Sequence, residues 1–145
     1  QLVDEQDEPL KLKDGRFCLL RSLITMGGAE AARKALLLFY ETRGLPRLRR
    51  RVAFFADRVG VSTGSVQIKD LGYRWASCST NGDLLFHWKC LMAPLTVLDY
   101  IVVHELCHLH HRDHSLAFWN EVDKVLPDYR ERKEWLRIRG AELEL

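Results

Sequence analysis

Two histidines four residues apart, His104 and His108, enclose Glu105 in the run His-Glu-Leu-Cys-His, and the residues before them repeat in a helical pattern (Val97, Leu98, Ile101, Val102, Val103). An α-helix rises about 1.5 Å per residue with about 3.6 residues per turn, so positions i and i+4 share a face about 6 Å apart along the axis. Two imidazoles on that face can each lend one nitrogen to a single Zn²⁺ at about 2.0–2.1 Å, leaving room for a third ligand and a water. Glu105 projects from the edge of that face, within reach of the water, without competing for the metal. So short a motif does recur by chance. Here it stands on a strongly apolar helix, where two unliganded histidines and a carboxylate would be costly to bury. The pattern predicts a hydrolytic metal site.

Candidates for the third ligand follow the motif. His111 lies seven residues beyond His104, about 10 Å further along the axis, and reaches the metal only if the helix breaks. His114 reaches it if the helix ends near residues 110–112 and the chain folds back. Arg112 and Asp113 are polar and turn-prone, and Asp113 or Ser115 can cap a following helix over 115–126. His110 points away from the pair. The order of preference is His114, then an acidic residue of the next helix (Glu121 or Asp128), then His111. The spacing also matches the metzincin pattern, but His111 replaces its glycine. The only methionines, Met26 and Met92, precede the motif and exclude a downstream Met-turn.

Further blocks, in order, are Tyr73-Arg74-Trp75-Ala76-Ser77-Cys78-Ser79, Leu95 through His108, His114-Ser115-Leu116-Ala117-Phe118-Trp119, Pro127-Asp128-Tyr129 and Trp135-Leu136. In this the chain resembles the YgjP-like metallopeptidases, relatives of the SprT-type and WLM-type zinc peptidases. The likeness is dense from about residue 67 to 140, with Ala76 where the family carries glycine. It implies that His104, His108 and His114 bind the metal and that Glu105 is the catalytic base. Family members are usually longer at the N-terminus. Together with the absence of an initial methionine, this leads us to expect an upstream segment.

The 145 residues can bury one real core, and 47% hydrophobic with 29% charged residues is the balance of a soluble globular protein. We therefore expect one metallopeptidase-like domain over 1–145, with a hairpin at 1–22, the remainder of a longer β segment, and a catalytic core at 28–145. No run of about 18 apolar residues is present, and no secretory signal is visible, so the expected location is the cytoplasm without membrane association. Net charge is only +2, unevenly spread: Asp4, Glu5, Asp7 and Glu8 at the start, and Arg43, Arg47, Arg49, Arg50 and Arg51 further on. Such a cluster can meet a phosphate backbone. The plainer reading, a solvated helix face opposite Leu48, Val52, Phe55 and Val59, is preferred because no base-reading motif accompanies it. The four cysteines read as reduced and mostly buried. Cys78, in the Arg-Trp-Ala-Ser-Cys-Ser segment, is the one that could serve as a thiolate ligand.

Punctuation and period set out the elements. A hairpin over 9–20 turns at Asp14-Gly15. A helix over 29–43 is stopped by Gly44 and Pro46, and a second over 47–59 by Gly60. A strand over 65–71 and a turn at Asn81-Gly82 precede a strand over 83–91. Pro94 and a Thr96-x-x-Asp99 capping box open the metal helix, and helices over 115–126 and 128–139 close the chain. The expected class is α+β, a zincin-like core in which a short, mostly antiparallel sheet packs against the metal helix and flanking helices.

The strand over 83–91 directly precedes the metal helix and is the natural edge for a peptide to pair with; its alternative role is an interior strand. The expected chemistry is amide hydrolysis, with Glu105 as base and with Tyr129, Arg74 or His111 as candidates to help stabilise the oxyanion. The expected cofactor is Zn²⁺ and the expected substrate a peptide or protein. Two other functions fit the residues: a metal-bearing binding or scaffold domain, and a peptidase delivered to nucleic acid by the arginine cluster.

Overall fold

A computed structural model of the chain describes the backbone of residues 2–3, 10–13 and 16–140, and the side chains of residues 28–140. Strands β1 (Leu2–Val3), β2 (Leu10–Lys13) and β3 (Arg16–Leu20) form a sheet in the order β1-β3-β2. The β2–β3 pair is antiparallel, as a hairpin requires, and the expected turn at Asp14-Gly15 lies outside the described residues. Helix α1 (Arg21–Arg43) breaks at Gly28, whose φ of 61° and ψ of −145° suit a residue without Cβ. The helix expected from 29 onward is the part after this break.

Helix α2 (Leu45–Val59) has Pro46 in its first turn, where the missing N–H costs nothing, and Gly60 in the left-handed region (φ 81°) at its C-cap. Its buried stripe is Leu48, Val52, Phe55 and Val59, the spacing of one helical face. Burial of each such side chain contributes about 1.5–3 kcal/mol. The opposite face carries the arginines, Arg51 excepted. Arg51 turns inward and grips the buried Asp99 through two hydrogen bonds of 2.9 and 2.8 Å. The expected phosphate-facing cluster thereby loses its fifth member to an internal cross-link.

The second sheet comprises β4 (Val66–Lys69), β5 (Ala76–Cys78) and β6 (Leu84–His87) in the order β4-β6-β5. It is mixed where a mostly antiparallel one was expected: β4 and β6 are parallel, β5 and β6 antiparallel. The chain leaves β4, crosses to the far edge to lay down β5, then turns through Gly82 (φ 85°) and inserts β6 between the two. The expected strand over 83–91 is half that length. At His87 the side chain accepts the Lys89 N–H, starting a 3₁₀ turn over Trp88–Met92. β6 is therefore the interior strand, and β5, unrecognised in the sequence, is the edge beside the metal helix.

That helix, α3 (Leu95–Cys107), is the centre of the molecule. It packs against α2, against β5, and against α4 (Leu116–Val125) and α5 (Tyr129–Arg139). Val102, Val103, Leu106 and Cys107 have no solvent exposure. The expected Thr96–Asp99 capping box does not form. The N-cap is Pro94, which places Asp99 beyond the first turn, where its carboxylate engages Arg51. The α+β architecture expected from the sequence, a short sheet against the metal-site helix with flanking helices, is the one the chain adopts. No helix among the described residues is long and apolar enough to cross a membrane.

Candidate metal centre

His104 and His108 stand on the last turn of α3 and at its C-cap. The helix then tightens, with the Leu109, His110 and His111 N–H groups donating back to carbonyls at Leu106 and Cys107. The chain reverses through Arg112 and Asp113, and Ser115 caps α4 by accepting the Phe118 N–H at 3.3 Å. This reversal brings His114 against the first two. Ring centroids are 5.0 Å apart for His104–His108, 5.1 Å for His104–His114 and 4.9 Å for His108–His114. Each ring offers one nitrogen, and these nitrogens all lie within 4.8 Å of one another. Tetrahedral Zn²⁺ bound at about 2.0–2.1 Å holds its ligand nitrogens about 3.3 Å apart, so side-chain adjustments on the order of an ångström close the site.

The tautomers suit that use. His108 Nδ1 donates to the His111 carbonyl at 3.0 Å, leaving the Nε2 lone pair for a metal. Burial, first among several causes, holds the His108 imidazolium below the ordinary histidine range, which favours the neutral ligand form. His104 Nδ1 lies 3.2 Å from Glu105 Oε1, again leaving Nε2 available. Beneath the three rings sits Phe118, fully buried, at 4.5 Å from His108 and 5.2 and 5.1 Å from His104 and His114. Trp119 stacks on His114, and Tyr129 in turn on Trp119. Three imidazole nitrogen donors on an apolar base, beside a carboxylate that is only 7% exposed, fit a borderline-soft divalent metal with an open position.

The histidines and Glu105 line a cleft of about 510 Å³, whose other wall is Tyr73 through Cys78. Of the residues weighed for oxyanion stabilisation, only Arg74 lines this cleft. Tyr129 is buried behind Trp119, and His111 contributes its carbonyl to His108 and no side chain to the cleft. The alternative ligands Glu121 and Asp128 are paired with Lys124 and Arg132 and stand outside the histidine cluster. His110 reaches the other way, its Nε2 at 2.8 Å from the Val59 carbonyl at the end of α2. Cys78 lines the cleft, but burial pushes its thiol up and it donates to the Ser79 carbonyl at 3.4 Å, so it is poorly suited to act as a thiolate. Cys90 and Cys107 are likewise buried free thiols, with Cys107 pushed up to about 12 by burial.

Two cleft residues escaped the sequence reading. Tyr100 lies four residues before His104 on the same helical face, and that spacing was the signal. Its ring packs 5.9 Å from His104, and burial, then the Glu105 charge, holds its hydroxyl protonated. Arg112 spans the cleft end, donating to the Cys78 carbonyl at 2.7 Å and to the His108 carbonyl at 3.5 Å. Nothing in the local sequence signals that bridge.

The chain matches the model of the YgjP-like metallopeptidase domain over residues 7–139. Among solved structures it is similar to the metallopeptidase zymogen of Pyrococcus abyssi abylysin, with a TM-score of 0.57 and 28% identity over 65% of this chain and 93% of that one. No curated protein matches it. A helix-borne histidine cluster, a zincin-like α+β core and a family match spanning nearly the whole chain converge, and the protein belongs to the YgjP-like metallopeptidase domain family as a metal-dependent peptidase.

Proposed function

We propose that the protein is a zinc peptidase of the cytoplasm, formed as a single catalytic domain, with His104, His108 and His114 holding Zn²⁺ and Glu105 acting as general base. The observation that carries this reading is the convergence of three ring nitrogens within 4.8 Å beside a nearly buried carboxylate in one cleft. His104, His108 and His114 would hold the zinc, which would supply Lewis acidity to a water and to the scissile carbonyl, bringing the pKa of that water down toward about 7. Glu105 takes the proton released as the water attacks and delivers it to the leaving amine. Tyr100 and Arg74 face the same space and can donate to the developing oxyanion. The outer edge of β5, which lines the cleft, is suited to hold an extended peptide through backbone hydrogen bonds, the role expected in sequence of the strand over 83–91.

The substitution Glu105→Gln separates this reading from a metal-bearing scaffold. Gln keeps the size and hydrogen-bonding reach but accepts no proton at neutral pH. The variant should retain zinc by elemental analysis and fold normally, while peptide turnover drops on the order of 10²–10⁴. Unchanged turnover would place the chemistry elsewhere, and lost zinc would make Glu105 a ligand.

A further inference from the structure

Beyond Trp75 the cleft continues into a second hollow of about 370 Å³ that shares Tyr73, Arg74, Trp75 and Leu136 with the first. The additional lining residues include Lys89, Arg137 and His87, and no carboxylate lines it. Net charge over the whole chain is +2, so Arg74, Lys89 and Arg137 in one hollow, only the last of them paired with an acid, reflect local placement and not general basicity.

The hollow is firmly built. The Trp75 carbonyl accepts the His87 N–H at 2.8 Å and the Cys90 thiol at 3.0 Å, which fixes the wall between the two spaces. Gly140 closes the far side, where an added Cβ would come within 3.0 Å of the Trp75 ring. His87 is buried and neutral in role. Its Nδ1 accepts the Lys89 N–H at 3.1 Å, so its proton sits on Nε2, 3.2 Å from Asp70. This contact sets the 3₁₀ turn that presents Lys89. The Asp70 carboxylate is occupied by His87 at 3.2 Å and by the Gly72 N–H at 3.0 Å. Arg137 pairs with Glu134 on its own helix through both prongs of its guanidinium, Nε donating to one carboxylate oxygen at 3.0 Å and a terminal nitrogen to the other, so its charge is already matched. Arg74 and Lys89 have no acidic partner among the described residues.

We propose that this hollow is a carboxylate-binding subsite of the peptidase, taking an acidic side chain or the terminal carboxylate of a peptide that lies along the β5 edge. The inference rests on the peptidase reading above. An extended peptide on that edge runs past Tyr73, which stands fully exposed at the lip, and from the histidine cluster into the cationic space. The Arg74 guanidinium and the Lys89 ammonium, facing one hollow without an acidic partner among the described residues, are matched by a planar carboxylate in charge and geometry.

The test uses matched peptides differing only by Glu against Gln at each position flanking the scissile bond, and by a free against an amidated C-terminus. Binding is measured on zinc-loaded Glu105→Gln protein and cleavage on the wild type. Carboxylate-bearing peptides should bind about five- to tenfold more tightly, the scale of partly exposed charge-assisted contacts. In Lys89→Ala that ratio should fall toward one, and in Arg137→Ala, whose charge Glu134 already matches, it should change little. In Arg49→Ala, on the solvent face of α2 and lining a different cavity, it should persist. A preference confined to one internal position assigns the side chain, and one lost on amidation assigns the terminus. Equal binding of every pair to folded, zinc-loaded protein overturns the subsite even if peptides are cleaved. Selective binding without any wild-type cleavage overturns the peptidase reading and leaves the subsite standing.

Discussion

The two walls of the cleft are built in opposite ways. One is the end of α3 with the start of α4, where the three histidines and Glu105 stand on fully buried Val103, Leu106 and Phe118 and are held by a helix and a capped turn. The other is Tyr73 through Cys78, a loop and a three-residue edge strand, with Tyr73 fully exposed. Chemistry needs positions held to a fraction of an ångström, which dense packing supplies. Recognition of an extended peptide needs open backbone groups and accessible side chains, which an edge supplies. A substitution on the first wall should therefore act on metal binding and stability, and one on the second on substrate affinity.

The largest expected effect falls on the helical wall. His114→Ala, like His104→Ala and His108→Ala, should lower zinc affinity a hundredfold or more, since loss of even an outer contact to a ligand costs about 10–100-fold. His110→Ala and His111→Ala should retain stoichiometric zinc by elemental analysis. Tight zinc in His114→Ala would transfer the third ligand to another residue and undo the assignment of the α3–α4 turn.

A pair of aromatic truncations sharpens the contrast next. Phe118→Ala removes the base under all three imidazoles from a site with no exposure, and should cost about 3–5 kcal/mol in metal-free unfolding by urea. Tyr73→Ala, on the opposite wall, should change stability by no more than about 0.5 kcal/mol and raise KM. Similar stability losses from both would mean that the walls are not distinct in kind.

The same contrast governs what was legible in the chain. The helix bearing His104 and His108, the stripe on α2 and the capped turn before α4 each rest on local spacing, so the approach of His114 to that pair was legible in the residues alone. The edge wall rests on pairing. Ala76, Ser77 and Cys78 form a strand only because Phe86, Leu85 and Leu84 lie opposite, and so short a run carries no alternation of its own. β6 looked too long because Trp88 and Leu91 continue an apolar pattern, while the His87 side-chain contact that ends it depends on a rotamer. The capping box at Thr96 failed for a tertiary reason, since Asp99 is claimed by Arg51 from another helix. Tyr129 and His111 have suitable chemistry, but only packing shows that one is stacked behind Trp119 and the other offers its carbonyl.

Arg112 is where the walls meet, and its loss should have the smallest effect. The guanidinium leaves the turn after α3 and donates to the Cys78 carbonyl at the end of β5, on the opposite side of the cleft. Its side chain is exposed, so the contact contributes on the order of 1 kcal/mol, less than a buried charge-assisted bond would. Arg112→Ala leaves the histidine cluster and its Phe118 base intact, and zinc content should be unchanged. The edge strand loses its tether to the metal turn, so peptide KM should rise several-fold with a smaller change in kcat. Arg112→Lys restores the charge but not the two-pronged reach to Cys78 and His108, and should recover only part of the loss. Equal falls in kcat and kcat/KM in Arg112→Ala, with KM unchanged, would instead make Arg112 a stabiliser of the transition state and place catalysis on both walls.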